Sequence, residues 1–327
     1  MSVSLVGIGV LQAVVYLFFI RFIDLYEREE LRYVIPVFVW GFTVAVIGSG
    51  IVNTSFLVVF NAVLGPSAAE FFTAIAVAPV VEESIKGLAL LIAFATASFV
   101  ALRRGELEFS GVMDGIVYGS AVGFGFSMAE DISYYAQFGV ETYLVRRIFG
   151  GFAHAAFTSL TGIGIGLIPW VRSSVLKVLL PIFGLAGAIT LHATFNFAGT
   201  FFGPLAAYSI ELLVVVLYIL VIVVWLAVER RTIRRELREE VATGTISADE
   251  YSILPTYFAR TFYYLGLIFR GRFKEWYRAR KVHEAAVNLA FTKRLNRNSH
   301  AAPQGRKTEI LRRRIAELRR VAPQFGS

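Results

Sequence analysis

Seven apolar runs, each long enough to cross a bilayer, alternate with short polar connections at 3–23, 35–62, 70–102, 111–138, 149–169, 175–199 and 204–228. A membrane-spanning helix needs about 20 such residues. Seven in series predict an all-α, polytopic transmembrane helix bundle. No period of 20–50 residues repeats, and the two halves show no inverted symmetry. The pattern changes at residue 229, where charged positions take over. The segment beginning Glu229-Arg230-Arg231 reads as a polar helix leaving the bilayer. Gly244 reads as a stop, and Ser247-Ala248-Asp249-Glu250 as a capped restart. The chain therefore divides into a membrane bundle, 1–228, and a helical tail, 229–327. The opening Met1-Ser2-Val3-Ser4 lacks the basic region of a secretory leader, and no small-residue cleavage site follows the first run. Residues 3–23 are expected to form a retained helix.

Composition agrees with the membrane class: 56% of the 327 residues are apolar, more than a soluble domain carries. Cysteine is absent, which excludes a disulfide framework, a thiolate nucleophile and a cysteine-ligated metal. Charge then orients the bundle. Connections on one side carry 3, 2 and 2 Lys or Arg and precede a tail with 22, against 0, 2 and 0 on the other side. The positive-inside rule makes this N-out and C-in, a multi-pass membrane protein. The tail holds 22 basic and 10 acidic residues, net +12, whereas the membrane part is net −4. Its stretch 257–277 is basic and aromatic. It reads either as a segment lying on an anionic leaflet or as a solvated helical hairpin with an aromatic core. Nucleic acid is not the expected partner, because basic residues inside the last span follow from topology alone.

Ionisable groups inside the apolar runs are the candidate chemistry, since each costs roughly 2.5–3.5 kcal/mol at mid-bilayer on insertion scales. Glu82, Glu83 and Lys86 lie in the third run, Glu130 in the fourth, His154 in the fifth, and His192 with Asn196 in the sixth. In the N-out orientation, Glu82, Glu83, Glu130, His154 and His192 all fall within about 12 residues of the outer end of their helices, in the outer half or near the midplane. Glu82 and Lys86 share a face at i, i+4, so Lys86 is expected to hold Glu82 ionised. Glu83 points about 100° away and has no such partner in its own helix. Two carboxyls in different surroundings suit acid–base work. His192 and Asn196 are also i, i+4, and together they are expected to donate to a developing oxyanion. Pro79 frees a backbone carbonyl one turn before Glu82. Glycines four apart in the fourth to sixth runs signal close helix packing. Asp114, Asp131 and Glu211 read as structural, and His283 lacks the second histidine of a zinc-protease helix.

Four motifs in order, Glu-Glu-x-x-Lys at 82–86, Phe-x-x-x-Glu at 126–130, a histidine at 154 and His-x-x-x-Asn at 192–196, resemble the PrsW-type membrane proteases. These lie within the glutamic intramembrane protease superfamily, with CAAX prenyl endopeptidases and abortive-infection proteins. The resemblance covers roughly 20–228 and leaves the tail outside. It implies a membrane-embedded peptidase acting on membrane proteins, such as single-span regulators, with no cofactor. Glu82 or Glu83 would be the general base, tuned by Lys86 or Glu130. His154 would help hold the water, and His192 with Asn196 would form the oxyanion site. Asp131 stands where family members often carry Asn. Two alternatives stay open: a zinc-dependent protease on the same scaffold, since two Glu and two His suit zinc, and an ion-coupled transporter or membrane scaffold whose basic tail does the binding.

Overall fold

The structure, a computed structural model, describes residues 3–26, 29–104, 109, 111–139, 141, 146, 152–298 and 304–320. Among the described residues every regular element is helical. The chain divides into two compact units, 1–24 with 29–222 and 25–28 with 223–327.

The first unit holds α1 (Val3–Ile23), α2 (Leu31–Trp40), α3 (Val46–Leu64), α4 (Pro66–Phe72), α5 (Ala78–Arg104), α6 (Val112–Phe138), α7 (Ala153–Gly166) and α8 (Ser174–Phe202). A long helix, α9 (Pro204–Ala242), begins here. Among the described residues, four helices are long and apolar enough to cross a membrane: Leu31–Leu64, Val112–Phe138, Ser174–Phe202 and Pro204–Ala242.

Several expected runs are differently built. The second is not one regular helix, because a π turn at Gly41–Ala45 joins α2 to α3. The third starts at Pro66, and a second π turn, Thr73–Val77, joins α4 to α5. The fifth is only 14 residues of helix, Ala153–Gly166, with a 3-10 turn at Ile168–Trp170, and 149–151 lie outside the described residues. The seventh run and the polar helix expected after it form one continuous helix to Ala242. Its extension is rich in Arg and Glu, which favour helix regardless of hydropathy.

The second π turn has a local cause. Pro79 has no N–H to give, and the Ala78 N–H reaches back to the Thr73 carbonyl. The Ala74 carbonyl is left without a donor in its own helix.

Helix α6 sits at the centre, buried over almost its whole apolar stretch, against α1, α2 and α7. Backbone meets backbone at its glycines. A Cβ on Gly115 would lie 2.2 Å from the Gly162 carbonyl oxygen, and one on Gly123 would lie 2.4 Å from that of His154. The glycine spacing thus holds α6 and α7 at a separation no side chain permits.

In the second unit, the end of α9 packs with α10 (Ala248–Ile253), α11 (Tyr257–Phe269), α12 (Phe273–Asn298) and α13 (Gln304–Arg320). Gly244 turns the chain at φ +73°, and a capping box restarts it, with Ser247 and Glu250 each bonded to the other's backbone N–H. The stop and capped restart in the sequence are both realised. Ile233, Leu237, Leu254, Leu289 and Ile315 centre the core. Buried Glu236 and Glu240 are neutralised by Arg297 and by Lys293 with Arg312, at 2.5–2.8 Å. Buried His283 is hydrogen-bonded through Nδ1 to the Tyr264 hydroxyl at 2.8 Å.

Candidate active site

Helices α5, α6, α7 and α8 bring six of the seven candidate residues into one cluster. Glu83 and Lys86 on α5 are fully buried, and His154 and His192 are buried beside them. The Glu82 side chain is 13% exposed and that of Glu130 31%.

Lys86 corrects the expectation from spacing. Its Nζ lies 2.8 Å from Glu83 Oε1 and 3.8 Å from Glu82 Oε2, so Glu83 is its main partner. Residues at i+3 and i+4 are both neighbours on a helix, and the interior decides between them. There Lys86 also meets His154 Nδ1 at 3.1 Å and stands 3.7 Å from the centre of the Phe126 ring. Three groups fix Glu83 in turn: Lys86, the Thr158 hydroxyl at 3.0 Å on Oε2, and His192 Nδ1 at 3.1 Å on Oε1.

The histidine tautomers follow from donor chemistry. An ammonium only donates, so His154 Nδ1 accepts and its Nε2–H points at Glu130 Oε2, 3.0 Å away. A carboxylate only accepts, so His192 donates from Nδ1 to Glu83. The His192 Nε2 lone pair then faces Glu82 Oε2 at 3.9 Å, too long for a direct hydrogen bond. Phe157 stacks on the His192 ring, centroids 5.4 Å apart. Glu130 is also held by Arg146 Nη2 at 2.7 Å, while the same guanidinium gives Nε to Asp131 at 2.9 Å. Asp131 therefore shares an arginine with Glu130, and Gln12 donates to its other oxygen at 3.0 Å.

Asn196 lies apart from the arrangement expected of it. Its amide does not pair with His192 but donates to the Ala74 carbonyl at 2.8 Å. That is the carbonyl orphaned by Pro79 and the π turn, so the freed acceptor predicted from Pro79 exists and Asn196 takes it.

Sequence reasoning passed over Asn53 on α3. Its amide donates to Glu82 Oε1 at 3.4 Å, and its own Oδ1 is buried without a hydrogen-bond partner. Its signal was present, as the one amide inside the long apolar run 46–60. Thr158 gave no signal, because a threonine on a membrane helix ordinarily bonds its own backbone.

Glu82, His154 and His192 each present a ligand atom, all within 4.8 Å of one another. A carboxylate and two imidazoles from three helices is a zinc-type donor set. Around it the carboxylates Glu82, Glu83, Glu130 and Asp131 outnumber the cations Lys86 and Arg146, a balance that favours an added positive charge. The residues present fit a divalent metal ion, although Lys86 now occupies His154 Nδ1.

Glutamate, histidine and lysine buried together at the junction of apolar helices define the class of membrane proteins that carry a functional site inside the bundle. The chain belongs to the PrsW family: the sequence model described as "PrsW family intramembrane metalloprotease" matches residues 29–227. It is similar to a protein named Protease PrsW from Geobacillus kaustophilus (strain HTA426), 30% identical over 163 residues, 50% of this chain and 66% of that one. Another Protease PrsW, from Shouchella clausii (strain KSM-K16), is 26% identical over 220 residues, 67% of this chain and 94% of that one. No solved structure matches.

Proposed function

We propose that the chain is an intramembrane endopeptidase of glutamic type, with Glu82 as general base, that hydrolyses peptide bonds of membrane-protein substrates. One observation carries this reading. Glu83 has its oxygens engaged by Lys86, Thr158 and His192, whereas adjacent Glu82 keeps open lone pairs on a side chain still 13% exposed. A base must be able to reach water.

Glu82 takes a proton from water as the oxygen attacks the peptide carbonyl carbon. Glu82 passes that proton on through a bridging water to His192 Nε2, which faces it across 3.9 Å, and the imidazolium so formed donates to the oxyanion. The proton then passes to the amine nitrogen as the C–N bond breaks, giving an acid and an amine with no acyl-enzyme. Glu83 and Lys86 hold His192 in the tautomer this needs. His154 joins Lys86 to Glu130, and it reaches the water by releasing one of them. Asn196 acts at one remove, fixing the backbone before Pro79 and hence the position of Glu82.

A divalent metal ion is the second reading, favoured by the donor trio. Glu82, His154 and His192 would hold it, and bound there it would polarise the substrate carbonyl and lower the pKa of water. Glu83 and Glu130 are placed to orient the histidines.

Seven crossings with the N-terminus outside complete the proposal. The site then lies in the outer half of a prokaryotic plasma membrane, where single-span regulators are cut near the outer face.

The test is cleavage of single-span membrane proteins in proteoliposomes, with metal content measured on the same preparation. Cleavage by metal-free wild type that is lost in Glu82→Gln supports the glutamic mechanism. One metal per chain with chelator-sensitive cleavage supports the second reading. Cleavage unchanged in Glu82→Gln and in His192→Ala overturns both.

A further inference from the structure

The basic, aromatic stretch of the second unit does not form a core. Phe258, Phe262, Leu265 and Phe269 recur at spacings of 4, 3 and 4, one stripe of α11, and the three phenylalanines are 70%, 69% and 85% exposed. The opposite face of α11 is turned inward: Leu267 is in the interior, and Tyr264 is hydrogen-bonded to His283 of α12. A turn through Gly271, at φ +68°, continues the apolar surface onto exposed Phe273 and Tyr277, the first turns of α12. Arg270 and Lys274 stand exposed at this turn, while Arg272 is paired with Glu275. An apolar face this large on a water-facing helix marks an interaction surface.

We infer that this face is a docking surface for anionic lipid, with α11 lying in the interfacial layer of a bilayer. Three observations select lipid as the occupant. The side chains are phenylalanine and tyrosine, which suit the boundary between headgroups and acyl chains. The rim is cationic on a tail of net +12, and an anionic leaflet attracts juxtamembrane basic residues. The unit is also continuous through α9 with the apolar stretch of Pro204–Ala242, so a bilayer is tethered to the face at high effective concentration. A second copy packed in parallel would bring Arg270 and Lys274 of both copies together, like charge against like.

The absence of cysteine makes the experiment direct. Single nitroxide labels are placed in the full chain at Phe262→Cys, at Leu265→Cys and, as an aqueous control, at exposed Glu284→Cys. Accessibility to oxygen and to a water-soluble nickel chelate is read in vesicles of phosphatidylcholine, with and without phosphatidylglycerol. The expected result is loss of nickel access and gain of oxygen access at 262 and 265 but not at 284, strongest with phosphatidylglycerol and weakened by Arg270→Glu with Lys274→Glu. Labels at 262 and 265 as open to nickel as 284 overturn the inference. Shielding equal in both lipids overturns its anionic part, and short label-to-label distances between copies assign the face to a second chain instead.

Discussion

Glu83→Gln and Glu82→Gln differ by one position and are predicted to fail in opposite ways. Lys86 and Glu83 are both fully buried with 2.8 Å between charged atoms. Neutralising Glu83 strands an ammonium in the bundle interior, and breaking such a buried pair costs about 3–5 kcal/mol. That is a shift of two to four powers of ten in the folding equilibrium. Glu82 is 3.8 Å from Lys86 and partly exposed, so Glu82→Gln is expected to cost less than about 1 kcal/mol while abolishing turnover. Glu83→Gln combined with Lys86→Met removes both charges and should recover stability to within about 1–2 kcal/mol of wild type, still inactive. Unfolding by titration with sodium dodecyl sulfate in mixed micelles, followed by far-ultraviolet circular dichroism, measures all four proteins. Equal losses for the two single variants, or no recovery in the double, would refute the assignment of Lys86 to Glu83.

Asn196→Ala leaves the Ala74 carbonyl without a donor, at about 1–3 kcal/mol, and should speed hydrogen exchange at residues 73–78; lost activity without faster exchange there would put the amide on the substrate instead. Gly123→Ala drives a Cβ into a carbonyl oxygen 2.4 Å away and should cost about 1–3 kcal/mol, whereas Gly7→Ala, with nothing within 4 Å, should be neutral in the same unfolding titration. In the second unit, burial, with Arg260 and Arg319 nearby, pushes the His283 imidazole down to about 3. The unfolded chain takes up that proton first as pH falls, so His283 contributes its stability fully above about pH 6.5 and loses it toward pH 3, by up to about 1.4 kcal/mol per pH unit. His283→Gln should flatten the dependence of melting temperature on pH across that window.

Much of this molecule was legible as sequence because lipid leaves the chain few choices. An apolar run must close its own hydrogen bonds, so residues 111–138 and 175–199 became helices close to those bounds. The ionisable residues inside those runs announced the site for the same reason. What stayed hidden was decided between helices. Lys86 has carboxylates at both i−3 and i−4, and His154, 68 residues away, settles which one it meets. The freed carbonyl behind Pro79 was predictable, but its partner, Asn196, lies 122 residues from Ala74. The polar helix expected beyond 228 is present and ends at Ala242, just before Gly244, but its unbroken join to the apolar run is not visible in a change of hydropathy.

The glycine contacts between α6 and α7 make the bundle a device with a fixed phase. Inserting one residue in α6 between Gly115 and Gly123 rotates everything beyond it by about 100° and puts a side chain where only a carbonyl oxygen now fits. Glu130 and His154, on either side of that contact, would lose their 3.0 Å alignment together. Length, not only composition, is therefore a constrained property of α6. Exposed apolar residues of α8 and α9 can be exchanged for one another without touching this contact, whereas the seam has no room for one added or deleted position.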